Sequence, residues 1–443
     1  VGYGYTGTTA HGIILADNAT TPGPLTEDTL PGTVTSITQV VCPSSTACVA
    51  WGTGSSGPVV LAGTISTSGD TWNAVALPAS MTTVNQVACT AALACVAVGN
   101  GGGSGLAASG PIYGPGGAPT AGTWVLSNPP VGFTLTNLSQ VACPTALACM
   151  AYGTGKVGGV AGLIVTSGSP VVPANGLGSV LNWTRDANPA PAPTSFSQLI
   201  CPSATTCLVT GTSASQAIIY SGAPGVATLT NDTVPATTQS LTQVVCPSGA
   251  VCLAIGSGTA GPVILSGAIA AGDTWSSPAA LGIPSAITSV SAISCPNATT
   301  CAIAASTNDA NNNPLAAILS GTPGASTTWS TSAIPGVDAG TLYLTGISCT
   351  PTGGTATCSA VGTSSAGAVV MMSKGGPGGT WNDDTGDSGM TLTGNPTSNV
   401  PIEVTNSGLT NQSGSNGAWN PVAATPSGTA NTTSIPDIYP FAA

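Results

Sequence analysis

Three features of the 443-residue sequence predict an all-β fold of the propeller class. Fourteen cysteines form seven close pairs that recur every 45–58 residues, and an alternating, β-branched run leads into each pair. A tryptophan follows the third apolar run in six of the seven repeats. Four short strands in about 50 residues make one propeller blade. We therefore expect seven cysteine-bearing, four-stranded blades.

Each repeat begins with a run such as Ile37 to Cys42, whose period-two alternation is typical of a strand. A short turn-forming link and the second cysteine follow, and the next run ends on glycine, as in Ala97 to Gly99. A third apolar run, such as Val59 to Leu61, precedes a fourth strand that begins at the repeated tryptophan. The tryptophans at this position are Trp72, Trp124, Trp183, Trp275, Trp329 and Trp381.

Both ends of the chain contain pieces of a further blade. The first residues resemble the second half of a repeat, and strand candidates follow at 390–393, 400–404 and 418–422. Joining the ends would complete a composite eighth blade and hide the sheet edges of an open array. The predicted organisation is a propeller over 1–394, comprising a half blade at 1–34 and seven cysteine-bearing blades over about 35–389, and a closing or assembly segment at 395–443.

The cysteine spacing predicts one disulfide across each first hairpin. Six pairs are six residues apart and the seventh nine, and a single histidine leaves too few nitrogen ligands for zinc sites. Seven disulfides belong to an oxidising compartment, so we expect an extracellular or cell-surface protein. The expected pairs are Cys42–Cys48, Cys89–Cys95, Cys143–Cys149, Cys201–Cys207, Cys246–Cys252, Cys295–Cys301 and Cys349–Cys358.

Charged residues are nearly absent, with 3 Lys+Arg, 14 Asp+Glu and a net charge of -11. An apolar content of 42% argues against disorder, and so few basic residues argue against a nucleic-acid partner. No apolar run approaches the ~20 residues of a membrane span. Few groups titrate in acid, which predicts a fold that persists at low pH. A neutral, glycan-bearing surface explains the same composition, and sequons occur at Asn18, Asn137, Asn182, Asn231, Asn297, Asn411 and Asn431.

The order of strands within a repeat resembles the propeller repeats of sialidases and of photosystem assembly factors. The segments Ser68 to Trp72 and Gly272 to Trp275 are similar to a degenerate Asp-box turn. The Cys-Pro-Ser-x-x-x-Cys variant resembles repeats of secreted actinobacterial proteins of unassigned function. The resemblance covers about residues 1–390 and implies a fold rather than an activity. Sialidases hold their substrate carboxylate with three arginines, whereas this chain has only Arg185.

No catalytic constellation stands out, and we expect a protein that is not an enzyme and has no cofactor. A Ser-His-Asp triad would need His11, which precedes an apolar strand and is expected to be structural. Paired carboxylates for glycoside hydrolysis stay open, although Asp70 and Asp273 are expected in turns and Glu27-Asp28 in a loop. A solvated turn is favoured over a calcium site for the densest acidic segment, which contains Asp383, Asp384 and Asp387.

Glutamine recurs at one position of the first strand in five repeats, with Ala292 and Gly346 in the other two. We expect these side-chain amides to bond neighbouring backbone, and the alternative is a ligand-binding ring. Trp51 and Trp419 lie outside the repeated tryptophan position and are candidates for stacking on sugar. The five glutamines are Gln39, Gln86, Gln140, Gln198 and Gln243.

These features predict a non-catalytic extracellular subunit that self-associates into a filament or cell-surface layer through residues 395–443. Few charges leave little repulsion between copies, and the lysines and glutamates that normally keep strand edges apart are scarce. The first alternative is a carbohydrate-binding secreted propeller, with glycans as partners. The second alternative is a glycoside hydrolase.

Overall fold

The computed structural model is all-β. It describes residues 2–6, 9–16, 26–44, 46–66, 70–90, 94–112, 124–127, 132–145, 148–171, 180–187, 191–225, 229–248, 251–270, 272–276, 282–309, 313–323, 329–332, 334, 342–352, 355–364, 367–373, 376–383, 391–393 and 403–405. These residues form 33 strands and seven disulfide-bearing antiparallel sheets, which we call blades 1 to 7 in chain order. Within this described part of the chain, no helix is long and apolar enough to cross a membrane.

Within each blade the strands lie side by side in chain order. The first strands are β5 (Val34–Ser44), β9 (Thr83–Cys89), β13 (Phe133–Thr145), β17 (Ser195–Ser203), β21 (Thr238–Ser248), β24 (Ile287–Asn297) and β28 (Leu342–Thr352). The second strands are β6 (Ala47–Gly54), β10 (Ala94–Gly101), β14 (Ala148–Val157), β18 (Thr206–Ser213), β22 (Val251–Gly258), β25 (Thr300–Asn308) and β29 (Thr355–Ser364).

The third strands are β7 (Gly57–Thr64), β11 (Ser104–Pro111), β15 (Val160–Val171), β19 (Gln216–Gly222), β23 (Gly261–Gly267), β26 (Pro314–Gly321) and β30 (Gly367–Ser373). Among the described residues of blade 5, an antiparallel bridge between Ser266 and Ser276 occupies the place of the fourth strand. The other fourth strands are β8 (Thr71–Val75), β12 (Val125–Leu126), β16 (Val180–Asp186), β20 (Thr230–Asn231), β27 (Ser330–Ser332) and β31 (Trp381–Asp383).

The terminal residues form three two-stranded sheets. Cα atoms of the last strand lie within 8 Å of those of the first strand of the chain. The domain division into 1–394 and 395–443 stays a prediction, and the strand expected at 418–422 lies outside the described residues. The terminal strands are β1 (Gly2–Thr6), β2 (Thr9–Ile13), β3 (Leu15–Ala16), β4 (Thr26–Glu27), β32 (Thr391–Thr393) and β33 (Glu403–Thr405).

A row of cysteine, glycine and tryptophan crosses most blades. In blade 1, Cys48 is opposite Gly63, and Gly63 is opposite Trp72. A Cβ on Gly63 would lie 2.6 Å from the buried Trp72 ring, so the indole needs glycine opposite it. Blade 4 has a buried leucine, Leu229, at the tryptophan position. The same close approach occurs at Gly110, Gly168, Gly267 and Gly321.

The glycine expected to end the second strand lies inside that strand in six blades, because each of these second strands continues for at least two residues beyond it. Irregular pairing with the first strand explains why glycine occurs there. In blade 1 the register shifts between Val34 and Ser36 and again between Ile37 and Gln39. A Cβ on Gly52 would lie only 2.0 Å from the Ser36 carbonyl oxygen. Bulges of this kind bring the backbone of one strand close to its neighbour, so only glycine fits. Equivalent contacts occur at Gly99, Gly153, Gly211, Gly256 and Gly362.

Seven apolar clusters lie between successive units of the chain. The cluster between blades 1 and 2 contains Trp51 and Val60 from blade 1 and Val87 and Trp124 from blade 2. Ile14, between β2 and β3, packs against blade 1 in the same manner. Face-to-face burial therefore joins the N-terminal strands and all seven blades in succession.

Candidate functional site

The first strands are the elements that would line the central channel of a propeller. For the five pairs from β9/β13 to β24/β28, Cα atoms of consecutive first strands come within 8 Å of each other. All seven first strands lack Asp, Glu, Lys, Arg and His. The surface that these strands present is therefore uncharged.

The glutamines of the first strands bond the backbone of the next blade. Gln140 Oε1 accepts from the Leu199 N–H at 2.8 Å. Gln198 Oε1 accepts from the Val244 N–H at 2.5 Å, and Gln198 Nε2 donates to the Val244 carbonyl at 3.2 Å. Each first strand is the edge of its sheet, so these amides satisfy backbone groups that have no ladder partner.

Two further glutamines make the same contact. Gln86 accepts from the Val141 N–H at 2.7 Å, and Gln243 accepts from the Ile293 N–H at 2.8 Å. Where blade 6 has Ala292 at this position, the neighbouring Ser294 hydroxyl accepts from the Cys349 N–H at 2.9 Å. The structure thus supports backbone bonding over a free ligand-binding ring for the glutamines with assigned bonds.

Half of the acidic residues have described side chains, and each of these has a hydrogen-bond or ion-pair partner. Asp70 accepts from the Ser66 N–H at 2.9 Å, and Asp273 accepts from the Ala268 N–H, so both lie in turns as expected. Asp309 accepts from the Asn313 N–H at 2.7 Å. None of the seven lies on a first strand; they are Glu27, Asp28, Asp70, Asp186, Asp232, Asp273 and Asp309.

Asp232 links blade 4 to blade 5. Its carboxylate accepts from the Ser221 hydroxyl, from the Gly272 N–H at 3.0 Å and from the Trp275 indole N–H at 3.0 Å. Burial raises the pKa of this carboxyl, and the hydrogen bonds oppose that rise. Asp28 makes the same link to blade 1, because the Trp72 indole N–H donates to it at 2.9 Å. Asp28 lies outside the strands, as expected, but Glu27, which was expected in the same loop, is the last residue of β4.

Asp186 is the third residue of this kind, and it has fewer partners. The Ser167 hydroxyl donates to it at 2.5 Å, and only 1% of the residue is exposed. Burial raises its pKa to about 6, and the Ser167 hydrogen bond opposes the rise. The next blade has Leu229 at the tryptophan position, so no indole is present to donate to Asp186.

Sequence reasoning missed these three aspartates although a pattern marks them. Each lies three residues after the repeated tryptophan position, which is occupied by Leu25 before Asp28, Trp183 before Asp186 and Leu229 before Asp232. Leucine at two of these positions obscures the alignment. Aligning the repeats on a large apolar residue, leucine or tryptophan, at this position reveals all three aspartates.

Trp51 does not stack on sugar from the protein surface. It is fully buried between blades 1 and 2, and its indole N–H donates to the Asn85 carbonyl at 3.3 Å. The second strand faces the next blade, which explains why a tryptophan outside the repeated position is still a core residue. Trp419 lies outside the described residues. Tyr343, on β28, is instead the exposed aromatic side chain of the described region, at 42% exposure.

The remaining candidate residues form no common site. His11 Nε2 lies 3.7 Å from Glu27 Oε1 and links β2 to β4, in line with a structural role. Arg185 is exposed on β16, opposite Thr166. Across the part of the chain that the structure describes, no group of three His, Cys, Asp or Glu residues is placed to hold a metal. The calcium candidates Asp383, Asp384 and Asp387 have side chains outside that part.

Three of the seven sequon asparagines have described side chains. Asn137 is half-buried and tied across a blade junction, because Asn85 Nδ2 donates to it at 3.0 Å. Asn231 and Asn297 are exposed. The side chains of the other four lie outside the described residues: Asn18, Asn182, Asn411 and Asn431.

No protein-family model and no curated protein matches the sequence. Solved structures similar to this chain include a protein from Lactobacillus plantarum, at 13% identity over 76% of this chain and 92% of that chain, with a TM-score of 0.39. YCF48 from Cyanidioschyzon merolae is similar at 14% identity over 70% of this chain and 88% of that chain, with a TM-score of 0.41.

Trypanosoma rangeli sialidase is similar at 9% identity over 89% of this chain and 90% of that chain, with a TM-score of 0.34. A sialidase and YCF48 are thus both among the similar structures, as the resemblance of the repeats suggests. At these identities and scores, no activity, substrate or partner carries over to this chain. The protein is a β-propeller-type chain with seven disulfide-bearing blades.

Proposed function

We propose that this protein is a non-catalytic structural subunit that acts outside the cell and assembles with copies of itself into a filament or surface layer. The observation that carries the proposal is the chemistry of the first strands. They have no charged side chain, and four of their glutamines are used in bonds to the next blade. General acid–base catalysis along the channel would need titratable groups there.

The described carboxylates also favour a structural role over glycoside hydrolysis. A glycosidase needs two carboxyl groups that face one substrate. Here Asp28 and Asp232 accept hydrogen bonds from tryptophans of the following blade, and Asp70 and Asp273 hold turns. These acids stabilise the blades and their junctions.

The disulfides favour an extracellular site of action. Each closes a short loop between neighbouring strands, with Cα atoms 3.9–4.0 Å apart. The chain-entropy model gives about 2 kcal/mol for one such loop. Seven of these bonds would be lost in a reducing compartment, so the protein is suited to an oxidising one.

Self-association is supported by the termini and by the composition. Among the described strands β1 pairs with β2 alone, and β33 approaches β1 within 8 Å while pairing with β32. An open strand edge is completed by addition of another strand. With few charges to oppose contact, we propose that residues 395–443 reach the neighbouring copy.

Two truncations test the assembly. Deleting residues 406–443 keeps β33, whereas deleting residues 395–443 removes it. We expect the full chain to form polymers in sedimentation velocity and negative-stain images, and both truncated chains to remain folded and monomeric. Circular dichroism and a mass showing seven intact disulfides control for folding.

The outcomes separate the steps of the proposal. If only the longer deletion abolishes assembly, β33 itself is the exchanged strand. Polymers formed by the longer deletion, or a full chain that stays monomeric at high concentration, would overturn the proposed function.

A further inference from the structure

In each blade the first and second strands form a hairpin with the disulfide loop at one end. A pair of residues that face each other across the two strands recurs at the opposite end, and nearly all of these residues are polar. In blade 1 the Ser36 and Thr53 hydroxyls are 2.6 Å apart, and in blade 4 the Ser195 and Thr212 hydroxyls are 2.7 Å apart. We call these residues the paired positions. They are Ser36/Thr53, Thr83/Asn100, Asn137/Thr154, Ser195/Thr212, Ser240/Ser257, Ser289/Ser306 and Tyr343/Thr363.

Thirteen of these fourteen residues are serine, threonine or asparagine, and the fourteenth is Tyr343. Tyr343 is 42% exposed, one of three large hydrophobic side chains that are exposed in the described region. Part of this ring faces solvent, so Tyr343 is the one paired position with an aromatic face available to a ligand.

Hydroxyl-bearing residues lie on the strands that flank Tyr343. Thr363 is opposite it on blade 7, and the first strand of blade 6, on which Thr288 and Ser289 are exposed, runs beside the first strand of blade 7. The Ser291 hydroxyl donates to the Leu344 carbonyl at 2.7 Å, which joins these two first strands next to Tyr343 in the sequence. The aromatic ring and the exposed hydroxyls thus belong to two adjoining first strands.

The charge of this surface selects the ligand class. None of the fourteen paired positions is charged, and the first and second strands that carry them contain one charged residue, Lys156 of β14. A charged ligand would therefore find almost no counter-charge on these strands. Aromatic rings pack against apolar faces, while hydroxyl groups bond polar edges, and a sugar ring offers both. We propose that this surface binds a neutral polysaccharide, with Tyr343 as the stacking platform and the paired positions as hydrogen-bonding partners.

This binding is a function beyond self-assembly. Repetition along successive blades suits a chain of repeated sugar units, because weak contacts at several blades add through multivalency. The site requires no covalent step and no cofactor.

Affinity electrophoresis in native gels tests the proposal, since the protein carries a net charge of -11 and migrates toward the anode. The gels contain hydroxyethylcellulose, laminarin, amylopectin or galactomannan, with alginate as an anionic comparison. We expect at least one neutral polymer to retard the wild-type chain. Using the chain without residues 406–443 as a second sample separates binding from polymer formation.

Variants assign the retardation to the surface. Tyr343→Ala should raise the dissociation constant about tenfold, because the variant loses an aromatic stacking contact. Tyr343→Phe should retain binding, and Val160→Ser, which alters another exposed hydrophobic residue, should bind like the wild type. Retardation by alginate alone, retardation by none of the polymers, or unchanged binding by Tyr343→Ala would overturn the proposal.

Discussion

Asp186 makes the stability of this protein depend on pH in a direction opposite to the usual behaviour of carboxylates. Burial raises its pKa from 3.8 to about 6, so the folded state holds a proton that the unfolded state releases. Its contribution to stability is fully present below pH 3.8 and is lost as the pH rises through about 6. Burial shifts the pKa values of Asp28 and Asp232 in the same direction.

The size of the effect follows from the two pKa values. A rise from 3.8 to about 6 corresponds to about 3 kcal/mol between the acid and neutral limits. Asp186→Asn keeps the shape of the side chain and its acceptor for the Ser167 hydroxyl, but it cannot ionise. We therefore expect the variant to exceed the wild type in unfolding free energy by up to about 3 kcal/mol at pH 7, and to match it at pH 3.

Guanidinium chloride unfolding between pH 3 and pH 8, at constant ionic strength and with the disulfides intact, measures this difference through tryptophan fluorescence. Asp70→Asn is the matched control, because Asp70 is a turn residue that accepts a backbone N–H. It corrects for the general loss of one negative charge. Parallel pH profiles for the wild type and Asp186→Asn would refute the reasoning, as would a wild-type stability that rises steadily from pH 3 to pH 7.

Three further outcomes are expected. Gln198→Ala leaves buried backbone groups of the next blade unpaired and should cost about 2 kcal/mol in denaturant unfolding, so an unchanged midpoint would contradict the proposed role of the amide. Gly63→Ala places a methyl group against the opposite indole and should lower the free energy of unfolding by about 1–3 kcal/mol. Gly162→Ala, with open space at its Cβ, should leave it nearly unchanged, and equal effects of the two substitutions would contradict the prediction. In native material, peptide mass spectrometry should find glycan on Asn297, which is exposed with its Oδ1 held in a turn, and none on the half-buried Asn137. Glycan on Asn137 and none on Asn297 would contradict the expectation that exposure decides occupancy.

The features that could be predicted from the sequence are those whose partners lie within one repeat. Cys95 is directly opposite Cys89, and Gly168 is opposite Trp183, so short spacings encode both contacts. Repetition then makes each contact visible several times along the chain. For this reason the blade and its disulfides could be predicted from the sequence.

The contacts that sequence analysis missed are those between blades. Asp232 meets Trp275 across 43 positions, and neither residue has a fixed offset from the cysteines that define the repeat. Trp51 was misjudged for the same reason, because its burial depends on the face of blade 2 that covers it. Only the three-dimensional stacking of blades shows which side of a strand is covered.

The scarcity of charged residues and the burial of three aspartates have the same consequence, which is that acid does little to destabilise the fold. Burial raises the pKa of Asp28, Asp186 and Asp232, so each binds a proton more readily in the folded than in the unfolded chain, and acid strengthens rather than weakens the regions that they hold. The junctions between first strands use neutral amides, which do not respond to pH. A surface of hydroxyls and amides likewise keeps its hydrogen-bonding groups in acid, so the proposed contact with a neutral polysaccharide should hold over the same range of pH as the fold.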